Sequence, residues 1–281
     1  MMVQTAPEGQ PHFVSTMVEH MEFCCQMARK FGNDRFEKLD PAQLVLYVVE
    51  NHDRGWDQYD INPGLDPTTR LPYLMARTPV PDAIKTNIGS PDHNEGFHPY
   101  CGLLSSMHTW GLYNRRYGFS QFVVRAQGSP SISVPDAHRT QLQSMLAGEL
   151  DRQRRLKDVL AANAESRPWS EEAHTFQNYK QLQFFDTLSL YFHLYHAGEQ
   201  GDEVYIHVPM SAEEDTSITV SKLGESTYSL DPFPFAADTL TLTCRGCYVH
   251  PYPPGHEPAD LGATLRALPP DVQTFKLVPR H

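Results

Sequence analysis

The sequence lacks any uninterrupted apolar run that approaches the roughly 20 residues needed for a membrane-spanning helix. Its N-terminal region also lacks the basic start and hydrophobic stretch that are typical of a secretory signal. We therefore expect a cytoplasmic protein that does not contact a membrane.

Basic residues and cysteines are also few. The chain has 23 Lys and Arg against 34 Asp and Glu, so the net charge is -11, which argues against a nucleic-acid or anionic-membrane surface. Five cysteines are an odd number at irregular spacing, which fits a reducing compartment better than a disulfide framework. A Gly-rich phosphate loop is absent as well. These features leave a small-molecule substrate as the expected partner, with the oligomeric state open.

Histidine is the one residue in excess, with 14 copies. The pair His52–Asp53 ends an apolar segment that begins after Asp40–Pro41, a typical helix start. A buried helix that ends in a His and an Asp places both in a cleft, where a charge is tolerated only beside a metal or a partner. The pair therefore indicates a metal site, provided that other ligands converge on it.

Further candidate ligands lie elsewhere in the chain. His20 sits close to the apolar face of a predicted helix from Phe13 to Gly32, and Asp186 is the one charged residue in a long apolar helix. An ionised Asp in such a helix is costly unless it is paired or binds a metal. Between these sites come three more candidates, namely His93, His98 and His108. The sequence does not indicate whether His93 or His98 points inward.

The order of these residues resembles the metal-binding signature of the HD-domain superfamily. The phrase His-Asp-x-Gly-Trp-x-x-Tyr-Asp, from His52 to Asp60, is more similar to one uncharacterised, mostly bacterial branch known only as a domain of unknown function. The Asp-Pro-Phe-Pro-Phe phrase from Asp231 to Phe235 belongs to the same branch. The resemblance implies one shared metal cradle and a second set of metal ligands. The cradle is His20, His52, Asp53 and Asp186, and the second set is His93, His98 and His108.

The segment from 54 to 81 is rich in Pro, Gly, Asn and Asp, and loops of this length in compact domains are often functional. We expect it to supply substrate contacts from Arg54, Trp56 and Tyr59, with a further contact from His193. The expected catalytic residues are Asp53, His108 and Asp57.

The pattern of apolar residues changes after Gly201, where short segments with the alternation typical of β-strands replace helical periodicity. We therefore predict a mainly α fold, an HD-like helical bundle with a small C-terminal antiparallel β appendage. The predicted domains are a helical metal-binding domain, residues 1–200, and a β-rich appendage packed on it, residues 201–281.

The favoured function is a metal-dependent hydrolase of HD type that acts on a small molecule. That this molecule is phosphorylated is implied only by the resemblance to the superfamily. One or two divalent transition metals, Fe, Mn or Zn, are the expected cofactors. One alternative is a dinuclear iron oxygenase of HD type that oxidises a small organic substrate. A second alternative is a metal-bearing binding module without turnover.

Overall fold

The computed structural model describes residues 1–114 and 134–280. The described residues form these elements in chain order: β1 (Met2–Val3), β2 (His12–Ser15), α1 (Met17–Ala28), α2 (Ala42–Asn51), α3 (Asp57–Ile61), α4 (Val80–Phe97), α5 (Pro99–Asn114), α6 (Arg139–Ala162), α7 (Glu172–Leu194), β3 (Glu203–Pro209), β4 (Asp215–Lys222), β5 (Thr227–Asp231), β6 (Leu240–Val249), α8 (Leu261–Ala267) and β7 (Asp271–Pro279).

The strands form one curled sheet in the order β1-β2-β6-β7-β5-β4-β3. Most neighbouring strands are antiparallel, but β5 and β7 run parallel, with Thr227 opposite Lys276. The N-terminal strand β2 pairs with β6, where Phe13 lies opposite Tyr248. Segments from both ends of the chain therefore build the same sheet.

Helices and sheet share one hydrophobic core. Phe192 of α7 packs against Phe23 of α1, and against Tyr228 and Phe275 of the sheet, with ring centroids 4.8 to 5.6 Å apart. Side chains along β6 alternate between buried and exposed from Leu240 to Arg245, so one face of this part of the strand covers the helices. This packing fixes α1 and α7 side by side.

The prediction of a mainly α, HD-like helical bundle with a small antiparallel β appendage is wrong. About 49% of the described residues are helical, and the seven-stranded sheet is mixed. Residues His12–Ser15 form β2 rather than the start of a helix, because Thr16 caps α1 by accepting a hydrogen bond from the Glu19 backbone N–H. The Thr16-to-Glu19 spacing is that of a capping box, which is the local signal for this boundary.

Pro91 lies inside α4, although proline is unfavourable in the interior of a helix. Proline has no backbone N–H, so the Asn87 carbonyl one turn earlier loses its usual helical partner. The Thr109 hydroxyl of α5 donates to that carbonyl over 3.1 Å. A contact from a neighbouring helix therefore compensates for the proline.

No helix within the two described ranges combines the length and the hydropathy that crossing a membrane requires.

We predict that Phe192→Ala lowers the free energy of unfolding by about 3–5 kcal/mol, because it leaves a cavity between the helices and the sheet. Urea denaturation followed by circular dichroism measures the change. Val18→Ala is the control, since Val18 is 43% exposed, and it should change the free energy by less than about 0.5 kcal/mol. A loss below about 1 kcal/mol for Phe192→Ala would contradict a shared core.

Candidate metal centre

Five side chains from four helices converge in the interior of the protein. α1 supplies His20, the end of α2 supplies His52 and Asp53, α5 supplies His108 and α7 supplies Asp186. All five are buried, and His20 and His52 have no exposed surface. The helices that carry them are held by the shared core, so the positions of these side chains are set by packing.

Four of the ligand atoms cluster as one coordination shell would require. His20 Nε2 lies 3.3 Å from His52 Nε2 and 3.2 Å from Asp186 Oδ1. Asp53 Oδ2 lies 3.8 Å from His20 Nε2 and 3.7 Å from His52 Nε2, which is itself 3.8 Å from Asp186 Oδ1. Ligand atoms about 2.0–2.2 Å from a tetrahedral metal lie roughly 3.3–3.6 Å from one another. The observed separations fit a single ion at the centre.

The hydrogen bonds at Nδ1 leave the Nε2 lone pairs of two histidines available. His52 Nδ1 lies 2.7 Å from the Val49 carbonyl, which only accepts, so Nδ1 carries the proton. The Ser189 hydroxyl donates to the Asp186 carbonyl over 2.7 Å, so its oxygen accepts from His20 Nδ1 at 2.9 Å. Such contacts at the far side of the ring orient metal-binding histidines.

His108 stands slightly apart from this shell. Its Nε2 lies 3.9 Å from Asp53 Oδ1, the oxygen that is not shared with His20 and His52. The terminal amide of Gln183 contacts His108 Nδ1 over 2.7 Å. A 180° flip of that amide turns its oxygen toward Nδ1, and the His108 Nε2 lone pair then faces the cluster.

The electrostatics of the cluster favour a cation. Burial favours the neutral form of His52, but the Asp53 carboxylate and the contact with Asp186 outweigh it and raise its pKa to about 9. Burial would raise the pKa of Asp186, yet hydrogen bonds from His20 and His52 hold it well below its usual value. Burial lowers the pKa of His108 to about 4. The buried Asp186 carboxylate therefore remains ionised and requires a positive charge beside it.

Cys24 lies within reach of His20 and His52 but is a poor ligand. Burial raises the pKa of its thiol well above the usual value, and only a thiolate binds metal strongly. Its Sγ donates to the Phe185 carbonyl over 3.6 Å. The centre is therefore made of nitrogen and oxygen ligands.

Gly55, two residues after Asp53, has to be a glycine because α4 passes close to its backbone. A Cβ at this position would lie 2.0 Å from the Thr86 carbonyl of α4. The Gly55 N–H also donates to the Ser90 hydroxyl over 3.0 Å. The close approach of α4 holds the chain directly after Asp53 and so fixes the end of α2.

Two predicted histidine ligands lie outside the cluster. His93 is exposed, and its Nε2 is 3.1 Å from the Tyr47 hydroxyl. His98 stands at the junction of α4 and α5, where its Nδ1 accepts from the Tyr100 backbone N–H over 3.1 Å. Of the three predicted histidines between Asp53 and Asp186, the structure therefore brings only His108 to the centre.

Some of the predicted substrate-binding and catalytic residues lie beside the centre, and others do not. Trp56 lines a cavity beside the centre, and Tyr59 packs against its ring at 5.9 Å. Arg54 and Asp57 form an ion pair with each other over 3.0 Å, away from the cluster. His193 lies behind His20, with the two Nδ1 atoms 3.3 Å apart.

Sequence reasoning missed Gln183 and the Val49 carbonyl. Each precedes a predicted ligand by three residues, Gln183 before Asp186 and Val49 before His52, so each lies one helical turn earlier on the same side. A search one turn before every candidate ligand finds both groups.

Sequence comparison gives the family but no activity. The profile of the family described as "Protein of unknown function (DUF3891)" matches residues 1–251, so the chain belongs to that family. This confirms the predicted resemblance to an uncharacterised family, whereas membership of the HD-domain superfamily stays a prediction. No curated protein and no solved structure matches the chain.

We predict that the protein purifies with about one divalent transition metal per chain. Asp53→Ala should lose this metal, because the substitution removes one of the four ligands and one of the two carboxylates among them. Metal content is measured by mass spectrometry after growth in medium supplemented with iron and manganese. Asp57→Ala is the matched control, since Asp57 pairs with Arg54 and should leave the metal in place. Full metal content in Asp53→Ala, with native circular dichroism, would contradict the assignment.

Proposed function

We propose that this member of an uncharacterised family is a metal-dependent hydrolase of a small molecule. The observation that carries the proposal is the convergence of His20, His52, Asp53 and Asp186 at separations of 3.2 to 3.8 Å in the interior. Iron, manganese and zinc all accept imidazole and carboxylate ligands. The chain order of the four residues supports a metal centre of HD type, as the sequence resemblance implies.

A bound divalent ion supplies Lewis acidity, which makes water acidic enough to lose a proton near neutral pH. His108 is the group beside the cradle that can take this proton, because its Nε2 lies 3.9 Å from Asp53 Oδ1 and its ring lines the adjoining cavity. Burial keeps His108 neutral, and its Nε2 can accept when the Gln183 amide presents its oxygen to Nδ1. Asp53 and Asp186 hold the cradle and balance its positive charge.

Burial also supports hydrolytic rather than structural use of the centre. The ligand atoms lie in the interior, yet Asp53, His108 and Asp186 all reach the wall of a cavity. Four protein ligands fill a tetrahedral site, so hydrolytic use requires the ion to take a fifth ligand from the cavity side, as catalytic metals can when they become five-coordinate. Access for a small substrate is what distinguishes a catalytic centre.

The alternative is a dinuclear iron oxygenase that acts on a small organic substrate. It is favoured by the arrangement of Asp53, whose Oδ2 faces His20 and His52 while its Oδ1 faces His108. A carboxylate in this position can bridge two ions. The hydrolase ranks first because a second ion would have too few ligands. Among the described residues, His108 is the one further histidine or carboxylate beside Asp53 Oδ1.

We predict that His108→Ala retains the metal but loses hydrolytic activity by a factor of about 10²–10⁴, the usual contribution of a general base. A panel of carboxylic esters, phosphomonoesters, phosphodiesters and nucleotides identifies the activity in the metal-loaded protein. His93→Ala is the matched control, because His93 is exposed and outside the cluster. If the metal-loaded wild type hydrolyses no member of the panel, the hydrolase proposal fails.

Redox behaviour separates the two enzyme proposals. A hydrolase needs only Lewis acidity, so we predict activity with zinc or manganese and an unchanged rate under nitrogen. An oxygen electrode and anaerobic assays make the comparison. Oxygen consumption that depends on bound iron, together with loss of turnover under nitrogen, would establish the oxygenase instead.

A further inference from the structure

A cavity of about 50 Å³ adjoins the metal cluster, and Asp53, His108 and Asp186 form one end of it. The remainder of its wall is largely apolar. The apolar side chains include Trp56, Met75, Val80, Ala83 and Leu112. An apolar ligand that enters such a cavity gains free energy from every methylene removed from water.

The polar groups on the wall are uncharged apart from the cluster itself. They include Thr78, Asn87 and Tyr113, and the Asn87 side-chain amide donates to the Tyr113 hydroxyl over 2.6 Å. Among the described residues that line the cavity there is no Lys or Arg. The nearby Arg77 forms an ion pair with the buried Asp66. A substrate anion therefore finds no cationic side chain on the described part of this wall.

The charge of the centre leads to the same conclusion. As metal ligands, the carboxylates of Asp53 and Asp186 would be anionic, and their two charges would cancel those of one divalent ion. A phosphate group would then meet a centre with no net charge, and its own desolvation would not be offset. An uncharged reacting group avoids that cost.

Size limits the ligand further. A cavity of about 150 Å³ lined by aliphatic and aromatic side chains holds a benzene molecule. The cavity beside the cluster is smaller, so it has room for a chain of a few carbon atoms and not for a nucleotide base.

We propose that the cavity binds a small uncharged carbonyl compound with a short apolar chain, such as a short-chain carboxylic ester. The proposal rests on the proposed hydrolase function and names its substrate class. The apolar chain lies among Trp56, Val80 and Ala83, and the carbonyl faces His108 and the cluster. In the reaction, the oxygen of water bonds to the carbonyl carbon and the bond from that carbon to the alcohol oxygen breaks. His108 Nε2 takes a proton from the water and returns it to the departing alcohol, which leaves a carboxylic acid.

The first test measures binding without turnover. Metal-loaded protein is titrated calorimetrically with acetamide, propionamide, butyramide and valeramide, whose amide group replaces the ester. We expect affinity to rise about fourfold per methylene until the cavity is full and then to fall. Butyl phosphate, with a chain of similar length, should bind at least tenfold more weakly than butyramide. Tighter binding of butyl phosphate, or no dependence on chain length, would overturn the proposal.

The second test narrows the cavity without touching a metal ligand. Ala83→Leu adds carbon atoms to the wall, so the amide that binds best should be shorter than in the wild type, while the metal content stays the same. Ala161→Leu is the matched control, because Ala161 is exposed on α6, and its amide series should equal that of the wild type. An unchanged amide series in Ala83→Leu would show that the ligand binds elsewhere.

Ethyl butyrate separates this inference from the proposed function. Amide binding with the expected chain-length dependence, but no hydrolysis of ethyl butyrate or of other esters, supports the ligand class and contradicts the hydrolase. Hydrolysis of phosphate esters alone supports the hydrolase and contradicts the ligand class.

Discussion

Two buried carboxyl groups, Asp53 and Asp186, face the same small volume in the interior, and the surrounding structure has to satisfy their polar oxygens. Three imidazoles surround them, and the hydrogen bonds at His20 Nδ1 and His52 Nδ1 leave the Nε2 lone pairs toward the centre. Without an ion, His20 and His52 donate to the Asp186 carboxylate, and a bound cation would take the place of the protons in these contacts. The helices that bring these groups together are fixed by the core that they share with the sheet, so the ligand positions are set before an ion binds.

The sequence was most informative where a polar residue interrupts an apolar pattern. The pair His52–Asp53 ends an apolar helix, and Asp186 is buried in the middle of another, so burial without a partner is costly at each position. His20 is buried in α1 in the same way. These four residues come together in the structure. Whether they bind metal stays a prediction, since only membership of the uncharacterised family is confirmed.

The rest depended on contacts between residues far apart in the chain. The helix α4 contains Pro91 and forms because Thr109 satisfies the carbonyl that the proline leaves without a partner. With α4 formed, His93 lies on the surface and His98 at a helix junction. The mixed sheet needed the pairing of β2 with β6, more than 200 residues later, which no local pattern records. A short strand before a well-capped helix is difficult to detect for this reason.

The central claim is that one metal ion lies between His20, His52, Asp53 and Asp186. A crystal of the purified protein, measured on both sides of the absorption edge of the metal that it contains, tests this claim directly. The account predicts one strong anomalous peak about 2.0–2.2 Å from two imidazole nitrogens and two carboxylate oxygens. No peak between these four side chains in a crystal that contains stoichiometric metal, or a peak at another set of residues, would contradict it.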